Sequence, residues 1–336
     1  MNDKEIEDKE IKYYLINKSS KEKITNKIND DKTIKFVIEE KYSNSLEKVL
    51  YIKENFICFY EVNIFSKIQL RDGSTFNYIK DINLKCDIIL DSLLFSKNEI
   101  IFADIDHKIG YFKLDNEYNI CKYFEKHYLN TECYQARIEL LKNKKIIWIE
   151  EERIYIFSLN IKDSNFIFET KIDIFKRTKI HIFYYEVKSR NDIIFNIEDN
   201  YLSIIDSNTF KIKSKPHIFK YRISYDVFII NDNYLFFKKD KFTLEIRSLI
   251  NFEVIKSLNI DTNFRLCHLG KNTFLLKRGT ITKCIFDEKK LDIIYKEDYN
   301  FNNFIFFTKI QGSEDLYITK DGDGISHFYI IVKLII

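Results

Sequence analysis

The sequence predicts an all-β protein built from a four-strand unit repeated seven times. Three observations lead there. Apolar residues at helical spacing rarely persist for three turns, whereas runs of four to eight β-branched and aromatic residues recur between short Asn, Asp, Lys and Gly punctuation. The composition suits strands, with 30 Phe and 22 Tyr but only 7 Gly and 1 Pro. The third observation is a long period. An acidic turn residue, Asp106, precedes apolar positions at +3, +5, +6 and +8 (Ile109, Tyr111, Phe112 and Leu114).

The same frame follows Glu54, Glu151 and Asp199, with looser copies ending in Leu249, Asp287 and Ile330. Its +6 positions are Tyr60, Phe112, Phe157, Ile205, Arg247, Phe286 and Tyr329, separated by 52, 45, 48, 42, 39 and 43 residues. Periods of this length mark stacked repeats. The frame resembles the WD40 signature of β-propellers, in which an Asp, spaced apolar residues and a Trp-Asp pair recur every 40–45 residues or so. Here the Trp position is filled by other residues, the Asp after it survives as Asp206 and Asp287, and the sole tryptophan, Trp148, lies one strand earlier. His127, His181 and His217 fall in the connection where the family carries a Gly-His pair. The resemblance implies a single seven-bladed propeller over residues 1–336 and a structural role for these histidines.

The strands follow from that frame. The second blade reads as Ile89–Phe95, Glu99–Ile105, Lys108–Leu114 and Tyr118–Phe124. The seventh offers Phe304–Thr308, Leu316–Thr319 and Ile325–Ile331, and the chain then ends without a fourth strand. Ile11–Ile16 is a strand lying before a first blade that begins near Ile34, so residues 1–18 are expected to complete the last blade, as WD40-like propellers commonly do. Face-to-face stacking would bury both sides of each sheet and explain the continuous apolar runs. Lys211, Lys213 and Lys215 on an outer strand would discourage edge-to-edge association. Arg71–Asn83 reads as an unusually long loop.

Composition excludes several classes. Hydrophobic residues at 45% and charged ones at 31% support a packed core rather than disorder. The 54 basic and 51 acidic residues leave +3, which argues against a dedicated polyanion binder. MNDKEIEDKE is no secretory signal, and no apolar run reaches the roughly 18 residues of a spanning helix. Six scattered cysteines without a C-x-x-C pair read as reduced thiols, so the expected location is cytoplasmic or nuclear.

Catalytic constellations are not apparent. The six histidines form no H-E-x-x-H or H-x-x-x-H pair, and Cys267, His268 and Cys284 lack a fourth zinc ligand at standard spacing. Asp321-Gly-Asp323-Gly324 opens like a calcium loop but reads as a hairpin turn, since residue 332 is Val where Glu is required. No enzyme activity, metal or cofactor is expected. Two basic features remain. Lys176, Arg177 and Lys179 precede one inner strand, and Lys215, Lys220 and Arg222 precede the next, forming a candidate patch for an acidic protein surface. Leu275-Leu-Lys277-Arg278-Gly279-Thr280 is similar to the Leu/Phe-Arg-Arg-Gly-Thr motif of PROPPINs, which implies phosphoinositide binding through Lys277 and Arg278. It departs from that motif in its first basic residue and in falling between second and third strands. The expected function is a protein-interaction scaffold or adaptor of a larger assembly. A PROPPIN-like membrane adaptor is the alternative, and nucleic acid is the less favoured partner.

Overall fold

The computed structural model describes residues 15–16, 33–40, 44–62, 65–73, 77–84, 86–128, 137–149, 153–173, 184–187, 192–198, 201–214, 227–260, 264–278, 280–299, 304–313, 316–322 and 327–333. Strands and turns account for these residues; among them no helix occurs, and so none is long and apolar enough to cross a membrane.

The chain opens with β1 (Leu15–Ile16) and β2 (Thr33–Glu40). Six four-stranded antiparallel sheets follow, each a meander in chain order. Sheet I holds β3 (Asn44–Ile52), β4 (Asn55–Val62), β5 (Phe65–Asp72) and β6 (Tyr78–Ile82). Sheet II holds β7 (Ile89–Ser96), β8 (Glu99–Asp104), β9 (Lys108–Leu114) and β10 (Ile120–His127). Sheet III holds β11 (Arg137–Leu140), β12 (Ile146–Ile149), β13 (Arg153–Asn160) and β14 (Asn165–Asp173). Sheet IV holds β15 (Tyr184–Val187), β16 (Asp192–Glu198), β17 (Tyr201–Asp206) and β18 (Ile212–Ser214). Sheet V holds β19 (Val227–Ile230), β20 (Tyr234–Lys238), β21 (Thr243–Ser248) and β22 (Val254–Asn259). Sheet VI holds β23 (Arg265–Gly270), β24 (Thr273–Arg278), β25 (Thr280–Asp287) and β26 (Asp292–Tyr299). The last strands, β27 (Phe304–Lys309), β28 (Leu316–Gly322) and β29 (His327–Lys333), join the first two in a mixed sheet of order β1-β2-β29-β28-β27.

That mixed sheet corrects the expected pairing of the chain ends. The strand antiparallel to β29 is β2, with Val37 opposite Ile330 and Glu40 opposite His327. Of Ile11–Ile16 only Leu15–Ile16 is described, and it lies parallel to β2 opposite Val37 and Ile38; Ile11–Tyr14 lies outside the described residues. The repeat frame slips by one strand at this end. The frame after Glu54 falls on β4, the second strand of sheet I, whereas the later frames fall on third strands. Both β4 and β5 are apolar on alternating positions, and an apolar frame cannot tell one buried strand from the next. Arg71 occupies the third-strand position, which shortens the first interval from 52 to 41 residues, and the supposed long loop Arg71–Asn83 contains β6.

Two compact units make up the chain, residues 1–132 with 303–336, and residues 133–302. In the first, Leu50, Ile57 and Phe59 of sheet I pack with Ile100, Phe102 and Phe112 of sheet II. Gln311 ties the mixed sheet to both. Its carbonyl accepts the Tyr51 N–H at 2.8 Å, and its side-chain Oε1 accepts the Leu94 N–H at 2.9 Å. The next residue must be glycine: Gly312 has φ +90°, and a Cβ there would sit 2.0 Å from the Tyr51 carbonyl oxygen.

In the second unit, successive sheets share apolar layers. Ile147 and Ile156 of sheet III meet Ile193 and Ile205 of sheet IV. Leu202 of sheet IV meets Leu235 and Phe237 of sheet V. Phe236, on the other face of β20, meets Phe274 and Phe286 of sheet VI, edge-to-face with Phe286 at 5.0 Å. Both faces of β20 are thus buried, which is why Leu235-Phe236-Phe237 reads as an unbroken apolar run.

Two devices repeat that the apolar frame did not disclose. Asn98, just before β8, accepts the Leu114 N–H at 2.9 Å and donates its Nδ2 to the Leu114 carbonyl at 2.6 Å. Asn272 does the same with Phe286 at 2.8 and 2.9 Å, and the Asn233 carbonyl accepts the Leu249 N–H. Asparagine recurs at 55, 98, 143, 191, 233 and 272, at intervals of 43, 45, 48, 42 and 39, with Asn191 outside the described residues. In each four-stranded sheet, moreover, the fourth strand carries one extra residue opposite the third: Ile79, Cys121, Glu169, Lys213, Ile255 and Lys296. Such bulges twist an edge strand and blunt it against pairing with another chain.

Candidate functional site

In a meander, the turns joining first to second and third to fourth strands share one end of the sheet. Second-to-third turns and inter-sheet connections share the other. The hairpin end is stapled between neighbouring sheets. Tyr118, at φ +62° in the β9–β10 turn, accepts from Asn55 Nδ2 at 2.8 Å and donates to the Lys53 carbonyl at 3.0 Å. Lys80 reaches the Glu117 carbonyl and Asn119 in the same turn. In the second unit, Asn143 of sheet III donates to the Ser207 carbonyl of sheet IV.

The opposite end of sheet II gathers a group of titratable side chains. Asp104 ends β8 and is fully buried. Its Oδ1 accepts the backbone N–H groups of Asp106 and Lys108 at 3.0 and 2.9 Å, which closes the β8–β9 turn and fixes His107 at φ +56°. Its Oδ2 has no hydrogen-bond partner and lies 3.9 Å from Lys108 Nζ. The same ammonium stands 3.3 Å from Asp87 Oδ2 and 3.4 Å from Asp106 Oδ2. One cation therefore serves three carboxylates drawn from β8, the turn and the β6–β7 connection.

Burial pushes the Asp104 carboxyl up to about 6, with the negative Asp106 adding to the effect; the Lys108 N–H and ammonium pull the other way. Burial likewise pushes the neighbouring Cys86 thiol up to about 12, with Asp104, Asp87 and Glu125 adding to it. Lys108 is held above its ordinary value, since Asp104, Asp87, Glu125 and Asp106 together outweigh the burial that opposes them. Asp106 is held below the usual carboxylate range by its hydrogen bond with Asp87 and by Lys108.

The two basic features fare differently. Lys176, Arg177, Lys179, Lys215, Lys220 and Arg222 lie outside the described residues, as do His181 and His217. Lys277 is half-buried near the end of β24, opposite Arg265 on one side and Ile281 on the other, and Arg278 pairs with Thr280. The basic turn is thus a second-to-third turn of sheet VI, as its spacing predicted.

Other candidates resolve into structure. His127 is the exposed last residue of β10 rather than part of a connection. His268 stacks flat on Phe228 at 5.1 Å, with Nε2 3.0 Å from the Lys271 carbonyl. Cys284 is buried and Cys267 half-buried, and among the described residues no three His, Cys, Asp or Glu side chains are placed to hold a metal ion. Asp321 and Gly322 end β28 opposite Phe328 and His327, which is hairpin pairing. Trp148 is buried on β12, within ring contact of Tyr155 and Phe157.

Sequence reasoning missed the Asp104 group because Asp106, the half-exposed turn residue, fits the acidic position of the repeat frame. The available signal was local: an Asp two residues before a turn and four before a Lys is spaced to accept both turn N–H groups. The sequence matches no protein-family model and no curated protein.

Proposed function

We propose that the chain is a seven-bladed β-propeller, closed by β2 beside β29, that serves as a non-catalytic scaffold or adaptor subunit. One observation carries this reading. The sheets bury their faces against neighbours within each unit, and all six outer strands of the four-stranded sheets are bulged. Faces and edges are thereby withdrawn from partners, and the turns and connections are left to meet them. A sheet shared by strands from both ends of the chain supports the closure. The step from fold to scaffold is an argument from architecture.

The basic connections are the proposed contact. Native purification of the tagged chain at moderate salt tests this, beside a variant with Lys176, Arg177, Lys215 and Arg222 all changed to Glu. The expected result is stoichiometric partner chains lost from the variant. Partners kept by the variant would move the contact elsewhere, and an absence of any partner would overturn the scaffold reading.

A further inference from the structure

We infer that Asp104 is a proton-linked switch built into the β8–β9 turn: charged, it makes three carboxylates compete for the Lys108 ammonium; neutral, it leaves Lys108 to Asp87 and Asp106 and holds the β6–β7 connection to sheet II. The geometry supplies both halves. Asp104 Oδ2 is buried without a hydrogen-bond donor, while Lys108 is already within 3.4 Å of both other carboxylates. Asp87 and Asp106 are partly exposed to water, and Asp104 is not.

Other groups facing the turn are accounted for. Cys86, beside Asp87 on the connection, keeps its proton across the relevant range because burial holds it at about 12. Glu125 and His127 approach from β10, and His107 is buried within the turn itself. The test must separate these neighbours from Asp104.

A carboxyl whose folded value lies above its ordinary 3.8 binds its proton more tightly in the folded chain. Its contribution to stability therefore rises as pH falls through about 6, and levels off below the ordinary value. Paired carboxylates elsewhere, such as Asp206 at about 2, act oppositely but only at much lower pH. The window from pH 5 to 7.5 or so thus keeps the switch apart from such carboxylates.

The test is the Tm of the full chain across that window for the parent, Asp104→Asn, Asp106→Asn and His127→Gln. The asparagine at 104 keeps an oxygen for the two turn N–H groups and cannot titrate. The parent is expected to gain about 2–5 °C between the two ends of the window. Asp104→Asn should flatten that rise, His127→Gln should keep it, and Asp106→Asn should shift its midpoint to lower pH by removing a neighbouring negative charge. A parent profile surviving in Asp104→Asn, or lost in His127→Gln, would overturn the proposal. Should Asp104→Asn fail to fold, the half-exposed Asp106→Asn decides alone, and an unmoved midpoint refutes the switch.

Discussion

Two buried carboxylates, one in each compact unit, have opposite surroundings. Glu245, on β21 and 1% exposed, lies between two cations: Lys239 Nζ at 2.8 Å from one oxygen and Arg247 Nε at 2.5 Å from the other. The Arg247 guanidinium also lies over the Phe237 ring and donates to the Phe252 carbonyl. Asp104 is as deeply buried, and its Oδ2, like Glu245 Oε2, makes no hydrogen bond, but it shares one ammonium with two other acids. The contrast shows that burial alone does not set the role of a charged group. Two cations on one carboxylate make an anchor, and three carboxylates around one cation make a site where a proton is the cheapest extra partner.

The largest expected effect breaks the anchor. Glu245→Ala leaves Arg247 partly buried beside an aromatic ring without its acid and should cost about 3 kcal/mol, read as a lower denaturant midpoint. A cost below about 1 kcal/mol would mean the two cations find water instead. Next comes a steric probe of the switch's support. Gly110 on β9 faces Phe102 on β8, and an alanine Cβ there would lie 2.0 Å from the buried ring's Cζ. Gly110→Ala should cost about 1–3 kcal/mol, and by displacing β8 it should also move the midpoint of the pH profile. Asp104→Asn has the opposite sign. At pH 7.5 it should stabilise by about 1–2 kcal/mol, whereas the same change at Glu245 destabilises. The smallest effect is a control in a turn of sheet VI. Leu291 sits at φ +50° in the β25–β26 turn and is 39% exposed, so Leu291→Gly should stabilise by about 0.5–1 kcal/mol and leave the pH profile unchanged.

What the sequence disclosed tracks what apolar patterning can encode. Sheet II was legible nearly strand for strand, because its turns interrupt short apolar runs at Lys97-Asn98 and Asp106-His107. The start of the chain was not. Glu54 lies in a turn between first and second strands, at φ +67°, yet it is followed by the apolar spacing that elsewhere marks a third strand. The asparagine before each second strand would have set the frame, since Asn55 to Asn98 spans 43 residues in line with the later intervals. Bulges leave no comparable mark in the sequence; the extra residue is Ile, Cys, Glu or Lys, and the backbone alone defines it. Asp104 was missed for a related reason. Its neighbour Asp106 has the same side chain, and burial depends on β7, β10 and the connection through Cys86, which converge only in the fold.

The pairing of β2 with β29 is the central claim, and calorimetry of two truncations tests it most directly. Removing residues 1–18 deletes β1 and should leave Tm within about 2 °C of the full chain, because among the described residues this segment adds two pairs to an edge, Leu15 and Ile16 on β2. Removing residues 1–41 deletes β2 as well and should lower Tm by about 10 °C or more, exposing the edge of β29. Equal losses from both truncations would contradict the account and return the closing role to the first eighteen residues.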